Sequence, residues 1–110
     1  MSSTLYDKDL AGQWSGTLHV QGTQLRIVFR IDKTNNQYTA TMDSPDQNTS
    51  GTKVTVTNFN YPNVKLEIPS IGAVYEGTLA DKDITGKWVQ SGTALFLVLV
   101  KNADAPKKGN

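Results

Sequence analysis

The chain has 110 residues and a mass of 12.0 kDa, enough for one domain, and its 11 Lys plus Arg nearly balance its 10 Asp plus Glu, for a formal net charge of +1. That balance argues against nucleic acid as a partner, and no apolar run approaches the roughly 20 residues of a membrane span. Without cysteine and with His19 as its single histidine, the sequence excludes disulfides, thiolate metal sites and a histidine metal cluster.

Thr, Val and Ile together supply 27 residues (13, 9 and 5), against two Glu and seven Ala. Branched side chains lose rotamer freedom in a helix and fit a pleated surface, so the composition favours strands. Eight short segments follow in chain order, and none carries a 3.6-residue pattern. Trp14 to Val20 alternates and stops at Gly22-Thr23. Leu25 to Asp32 runs to an Asn-rich turn, and Tyr38 to Met42 leads into Asp43 to Gly51, the longest expected loop. Val54 to Thr57 turns at Asn60-Tyr-Pro-Asn63, and Val64 to Ile68 stops at Pro69, which cannot donate to a ladder. Val74 to Ala80, Ile84 to Val89 and Ala94 to Lys101 complete the set. Short connections pair each strand with the next, so the expectation is all-β: an antiparallel up-and-down meander of eight strands, ten at most, closed as a barrel to remove its edges. The barrel spans residues 12–101, with an N-terminal tail at 1–11 and a tail or linker at 102–110.

Parity assigns the faces. Trp14, Leu18 and Val20 point inward, as do Leu25, Ile27, Phe29 and Ile31. Arg26 and Arg30 point outward, although inverting that strand would aim both into the lumen, where they would suit a ligand carboxylate. The last strand is apolar on both faces. With Leu95, Leu97 and Leu99 inside, Phe96, Val98 and Val100 join Val28 and Val89 in an outer apolar patch, the candidate interface. A folded-back terminal segment, Leu5-Tyr6 or Leu10, is the competing cover for it. The candidate ligand-lining residues are Trp14, Phe29, Tyr38, Met42, Tyr75 and Trp88, around an opening beside the Asp43 to Gly51 loop.

Reactive constellations are sparse. Gly12-Gln-Trp-Ser15-Gly16 has the wrong spacing for a nucleophile elbow, and no glycine-rich phosphate loop is present. Asp43, Asp46, Glu67, Glu76, Asp81 and Asp83 are the carboxylates from which a catalytic pair could come, but turn aspartates ordinarily cap backbone N–H groups. Asp43 and Asp46 alone fall short of the six or more oxygens of a Ca²⁺ site. No motif calls for a metal or a cofactor.

The Gly12-Gln-Trp14 opening resembles the start of lipocalin and fatty-acid-binding barrels, but the helices of those families have no counterpart here. A closer match spans almost the whole chain: Gly12-Gln-Trp-Ser-Gly-Thr-Leu18, Gly22 to Phe29, Tyr38 to Gln47, Val64 to Pro69 and Tyr75-Glu-Gly-Thr-Leu79. These segments, above all Met42-Asp-Ser-Pro-Asp-Gln47, resemble the small lipocalin-like β domain that precedes the catalytic domain of certain exported bacterial α/β-hydrolases (esterase- or peptidase-like). The resemblance implies a non-catalytic accessory barrel in a periplasmic or secreted protein, although Met1 to Thr4 opens no signal peptide. The catalytic Ser, Asp and His of that family have no counterparts in this chain. The expected function is therefore binding: contact with a hydrolase domain or a second copy, or a small apolar ligand held in the lumen. The alternative is a small glycosidase- or isomerase-like enzyme using carboxylates at the barrel mouth.

Overall fold

Branched residues at every second position, punctuated by turn formers, produce eight antiparallel strands in the computed structural model, which describes residues 10–35 and 37–101. They are β1 (Gly12–Val20), β2 (Thr23–Thr34), β3 (Gln37–Ser44), β4 (Thr49–Asn60), β5 (Asn63–Ile68), β6 (Ala73–Ala80), β7 (Asp83–Gln90) and β8 (Thr93–Lys101). Each strand pairs with its neighbour in sequence and β8 returns to β1, so the expected all-β meander is a closed eight-stranded barrel. No helix of the structure is long and apolar enough to cross a membrane.

Tight turns fix the register. Gln21 and Gly22 both have positive φ (48° and 82°), as do Ser91 and Gly92 (53° and 79°). Two-residue turns of that hand match the right-handed twist of the strands they join. The connection after β3 is shorter than the sequence suggests. Ser44 pairs with Thr49 and Met42 with Thr52 across a bulge, so the expected long loop contracts to a 3₁₀ turn, Pro45–Gln47, and β4 begins well before Val54. Thr, Ser and Lys at its start show no apolar alternation, yet their backbones pair all the same.

Inward parity holds along seven strands, whereas in β4 the bulges shift it, so Phe59 joins Val54 and Val56 against the core; the inward apolar residues form one buried cluster. Arg26 and Arg30 lie exposed on the outer face, as the upright reading of β2 requires, and His19 is exposed with them. At one end the barrel is plugged. Leu10 is buried beneath the strands, its carbonyl accepting the Trp14 Nε1–H at 2.9 Å and its N–H reaching the Tyr38 hydroxyl at 3.4 Å. Tyr38 meets Phe59 edge-on beside it, with ring centroids 5.5 Å apart. The structure thus places Leu10 inside the base, neither in a tail nor over the outer face. Leu5-Tyr6 and residues 102–110 lie outside the described residues.

The middle of the barrel is narrow. Gly77 and Gly86 face each other across β6 and β7. A Cβ on Gly86 would collide with the Glu76 carbonyl oxygen, and one on Gly16 with the Val98 carbonyl oxygen. Glycine in a strand interior commonly marks such a close backbone approach. Tyr75 is wholly buried here, and its hydroxyl donates to the Leu97 carbonyl at 2.7 Å, with the Ile84 carbonyl at 3.2 Å. Burial raises its pKa far above the ordinary value of 10.0, which keeps the phenol in the neutral, donating form.

Candidate functional site

Four connections gather at the end opposite Leu10: the turns at Gln21–Gly22 and Ser91–Gly92, and the 3₁₀ turns Pro45–Gln47 and Pro69–Ile71. Between them the interior opens into a cavity of about 390 Å³. Its walls are the mouth-proximal inward residues Leu18, Leu25, Ile27, Met42, Trp88 and Leu95. Its upper lining is polar and uncharged, with Ser44, Gln47, Thr49, Thr52, Gln90 and Thr93. None of the residues lining it carries a charge.

Two lips of the same construction frame the mouth. Each begins with a proline and closes on a left-handed residue, Asn48 (φ 56°) or Gly72 (φ 65°), whose N–H returns to the proline carbonyl. Proline pre-sets φ for the first position, and the left-handed cap turns the chain into the next strand. On the second lip, Gln90 Nε2 donates to the Ile71 carbonyl at 3.1 Å while Gln90 Oε1 accepts the Trp88 indole N–H at 3.1 Å. This chain of bonds fixes the Trp88 ring in the cavity wall.

The first lip explains the Met42-Asp-Ser-Pro-Asp-Gln47 segment. Its acids face outward and tie the lip to β2. Asp43 accepts Arg30 Nε at 2.8 Å and the Gly51 N–H at 2.8 Å. Asp46 accepts the Arg26 backbone N–H at 2.7 Å, just past the end of the β2–β3 ladder at Val28 and Asp43. The residues between them turn inward: Ser44 is buried, and Gln47 Nε2 donates to its hydroxyl at 3.2 Å. Ser44 Oγ is thereby an acceptor, and its side chain lines the cavity.

The Asp43 carboxyl lies below its ordinary value of 3.8, first because of the Gly51 N–H and then because of Arg30, with burial opposing both. A carboxylate with a lowered folded pKa contributes stability that is complete above the ordinary value. That contribution declines below it and is gone once the pH has passed the folded value. Asp43→Asn is therefore expected to lower stability by about 1 kcal/mol at pH 7. Urea titrations at neutral and acid pH check this: the gap between the two proteins should shrink at pH 3, and an equal gap at both would overturn it.

Of the six residues expected to line a ligand site, Met42 and Trp88 line this cavity. Trp14, Phe29 and Tyr75 are completely buried and are not among the residues lining the cavity; Phe29 and Tyr75 pair with ring centroids 6.1 Å apart. Tyr38 sits at the plugged base. Parity puts Leu18, Leu25, Ile27 and Leu95 inside, but aromatic size gives no indication of depth. Ser44, Gln90 and Thr93 share the inward parity of their strands without an apolar side chain to mark it, and Thr49 and Thr52 lie in a stretch that reads as loop.

No protein family, curated protein or solved structure matches this chain. Among the described residues no three His, Asp or Glu side chains gather as a metal site requires. The outer wall is the second feature of note: Val89, Phe96, Val98 and Val100 are 41%, 64%, 38% and 47% exposed. Val28, half-buried, continues their row through Ser15, which pairs with both Val28 and Val100.

Proposed function

We propose that this chain is an accessory barrel that binds one small, uncharged, largely apolar molecule. The observation that supports this is the lining of the cavity: eight apolar residues, uncharged polar ones and the buried Ser44 side chain, with no charged group among them. Pockets that enclose small molecules commonly run from about 300 to 1,000 Å³ and combine apolar walls with a few polar groups. A volume of about 390 Å³ suits a compact ligand. Moving a charged group into such walls without a counter-charge costs several kcal/mol, so the lining selects a neutral ligand. The resemblance of the Met42 to Gln47 segment to that of hydrolase-associated barrels supports a role beside an exported hydrolase domain. The enzyme reading is less well supported, because its nearest acids, Asp43 and Asp46, face away from the cavity and are tied to Arg30 and Arg26.

The neutral fluorophore N-phenyl-1-naphthylamine tests the reading. It is expected to bind saturably with one site per chain, and short-chain alcohols should displace it more strongly than carboxylates of the same length. Ile27→Trp, which fills the cavity, should abolish binding with the circular dichroism spectrum retained. Ser44→Ala should weaken the alcohols and leave the fluorophore unaffected. Absence of saturable binding, or displacement by carboxylates as strong as by alcohols, would overturn it.

A further inference from the structure

The outer wall of β7 and β8 carries a pattern that the cavity does not use. Outward positions along the middle and base of β8 are Phe96, Val98 and Val100, and on β7 they are Asp83, Thr85 and Lys87, with Ala94 and Val89 beyond them toward the mouth. The register pairs them as Lys87 with Phe96, Thr85 with Val98, and Asp83 with Val100. The wall is thus an apolar stripe beside a stripe that reads acid, hydroxyl, base. Among the described residues neither Asp83 nor Lys87 forms an ion pair, whereas Glu76, the cross-strand neighbour of Lys87, is held by Lys65 at 3.6 Å.

The pattern is complementary to itself. A two-fold axis lying in the surface along the Thr85–Val98 direction reverses each strand and lays it over its own copy. Val98 then faces Val98, Thr85 faces Thr85, and Phe96 of each chain faces Val100 of the other. Lys87 meets Asp83 at both rims of the contact. Residues two apart on a strand are separated by about 6.7 Å, so Asp83 and Lys87 stand equally far on either side of the axis. Sheets packed face to face with nearly aligned strands lie about 10 Å apart, a gap that two inward-leaning apolar side chains fill and a lysine spans at the edge. A closed dimer requires such an isologous surface.

We propose that the outer face of β7 and β8 is a homodimer interface whose two-fold axis passes through the Thr85–Val98 pair. It is independent of the cavity, which opens at the end of the barrel and stays clear in the dimer. A few apolar side chains on a convex wall bury less than the roughly 800 Å² per partner of a stable complex, so the association belongs to the weak, concentration-dependent class.

Sedimentation equilibrium over a concentration series tests the proposal. The protein should pass from monomer to dimer and no further. Phe96→Ser should abolish the dimer. Lys87→Asp alone sets like charges against each other at both rims and should raise the half-association concentration about tenfold or more, as should Asp83→Lys alone. The double variant, Lys87→Asp with Asp83→Lys, restores opposite charges and should return association close to that of the unaltered protein. All three positions are exposed, and unchanged melting curves will show that each variant remains folded. A monomer at every concentration would overturn the proposal. So would association indifferent to Phe96→Ser, or single charge variants that the double variant fails to rescue.

Discussion

Gly86→Ala is expected to cost the protein its fold, although it adds a single methyl group. The position lies mid-strand with an unremarkable backbone, and the obstacle is space: the new Cβ would meet the Glu76 carbonyl oxygen and the Gly77 Cα, both main-chain atoms. A side chain can rotate away from an intruder, but two hydrogen-bonded strands have no such freedom. Overpacking of a core typically costs about 1–3 kcal/mol where side chains can adjust, and a clash with paired backbone lies beyond that range. Against a total stability of about 5–15 kcal/mol for a domain of this kind, the loss is decisive. Gly92→Ala is the control. Gly92 has φ 79° with nothing within 4 Å of its would-be Cβ, so the left-handed backbone alone is penalised, by about 1 kcal/mol. Urea unfolding followed by circular dichroism distinguishes them: Gly92→Ala should unfold cooperatively at a modestly lower midpoint, and Gly86→Ala should show little native signal in water. A Gly86→Ala protein as stable as Gly92→Ala would refute the argument.

Leu10→Ala is the second large effect. Leu10 precedes the first strand, yet it is completely buried, and its backbone is bonded on both sides, to Trp14 and to Tyr38. Truncating a buried leucine costs about 2–5 kcal/mol, the upper part of the range applying where the surroundings cannot collapse into the gap. Closed strand ladders surround this site and resist such collapse. Thermal melting should show the loss, and Trp14 fluorescence should shift to the red as water reaches the base. A melting temperature unchanged by Leu10→Ala would mean that the plug contributes nothing.

The inside and outside of this barrel were legible from alternation, because a strand offers two faces and only one can be dry. Even β8, apolar throughout, resolves as the sequence implies, with Leu97 and Leu99 buried and Phe96, Val98 and Val100 exposed. Depth along the barrel axis was not legible in the same way. Trp14, Phe29 and Tyr75 have the inward parity of a cavity wall but occupy the base and middle, whereas Leu18, Leu25 and Ile27 stand at the mouth. Periodicity reports a direction perpendicular to the strand and nothing along it. Depth follows from which turns share an end: inward residues next to Gln21, Pro45 and Ser91 line the opening, whereas Ile68 and Ala73, beside the Pro69 turn, are buried away from it. Polar inward positions were hidden for a different reason. Thr49 and Thr52 belong to a strand whose first half reads as loop, and Ser44 turns inward beside an aspartate that turns out. Leu10 escaped notice because a single apolar residue among polar neighbours has no period to belong to.

The two proline-led lips share one plan, and neither contributes a buried side chain within its turn. The strand scaffold and its entrance are thus separable parts: one holds the buried core, the other shapes the mouth of the cavity. Exchanging the tip residues of either segment, or transplanting one onto the other, would reshape that mouth at little cost to folding. The same scaffold offers protein engineers a small barrel whose rim is open to redesign.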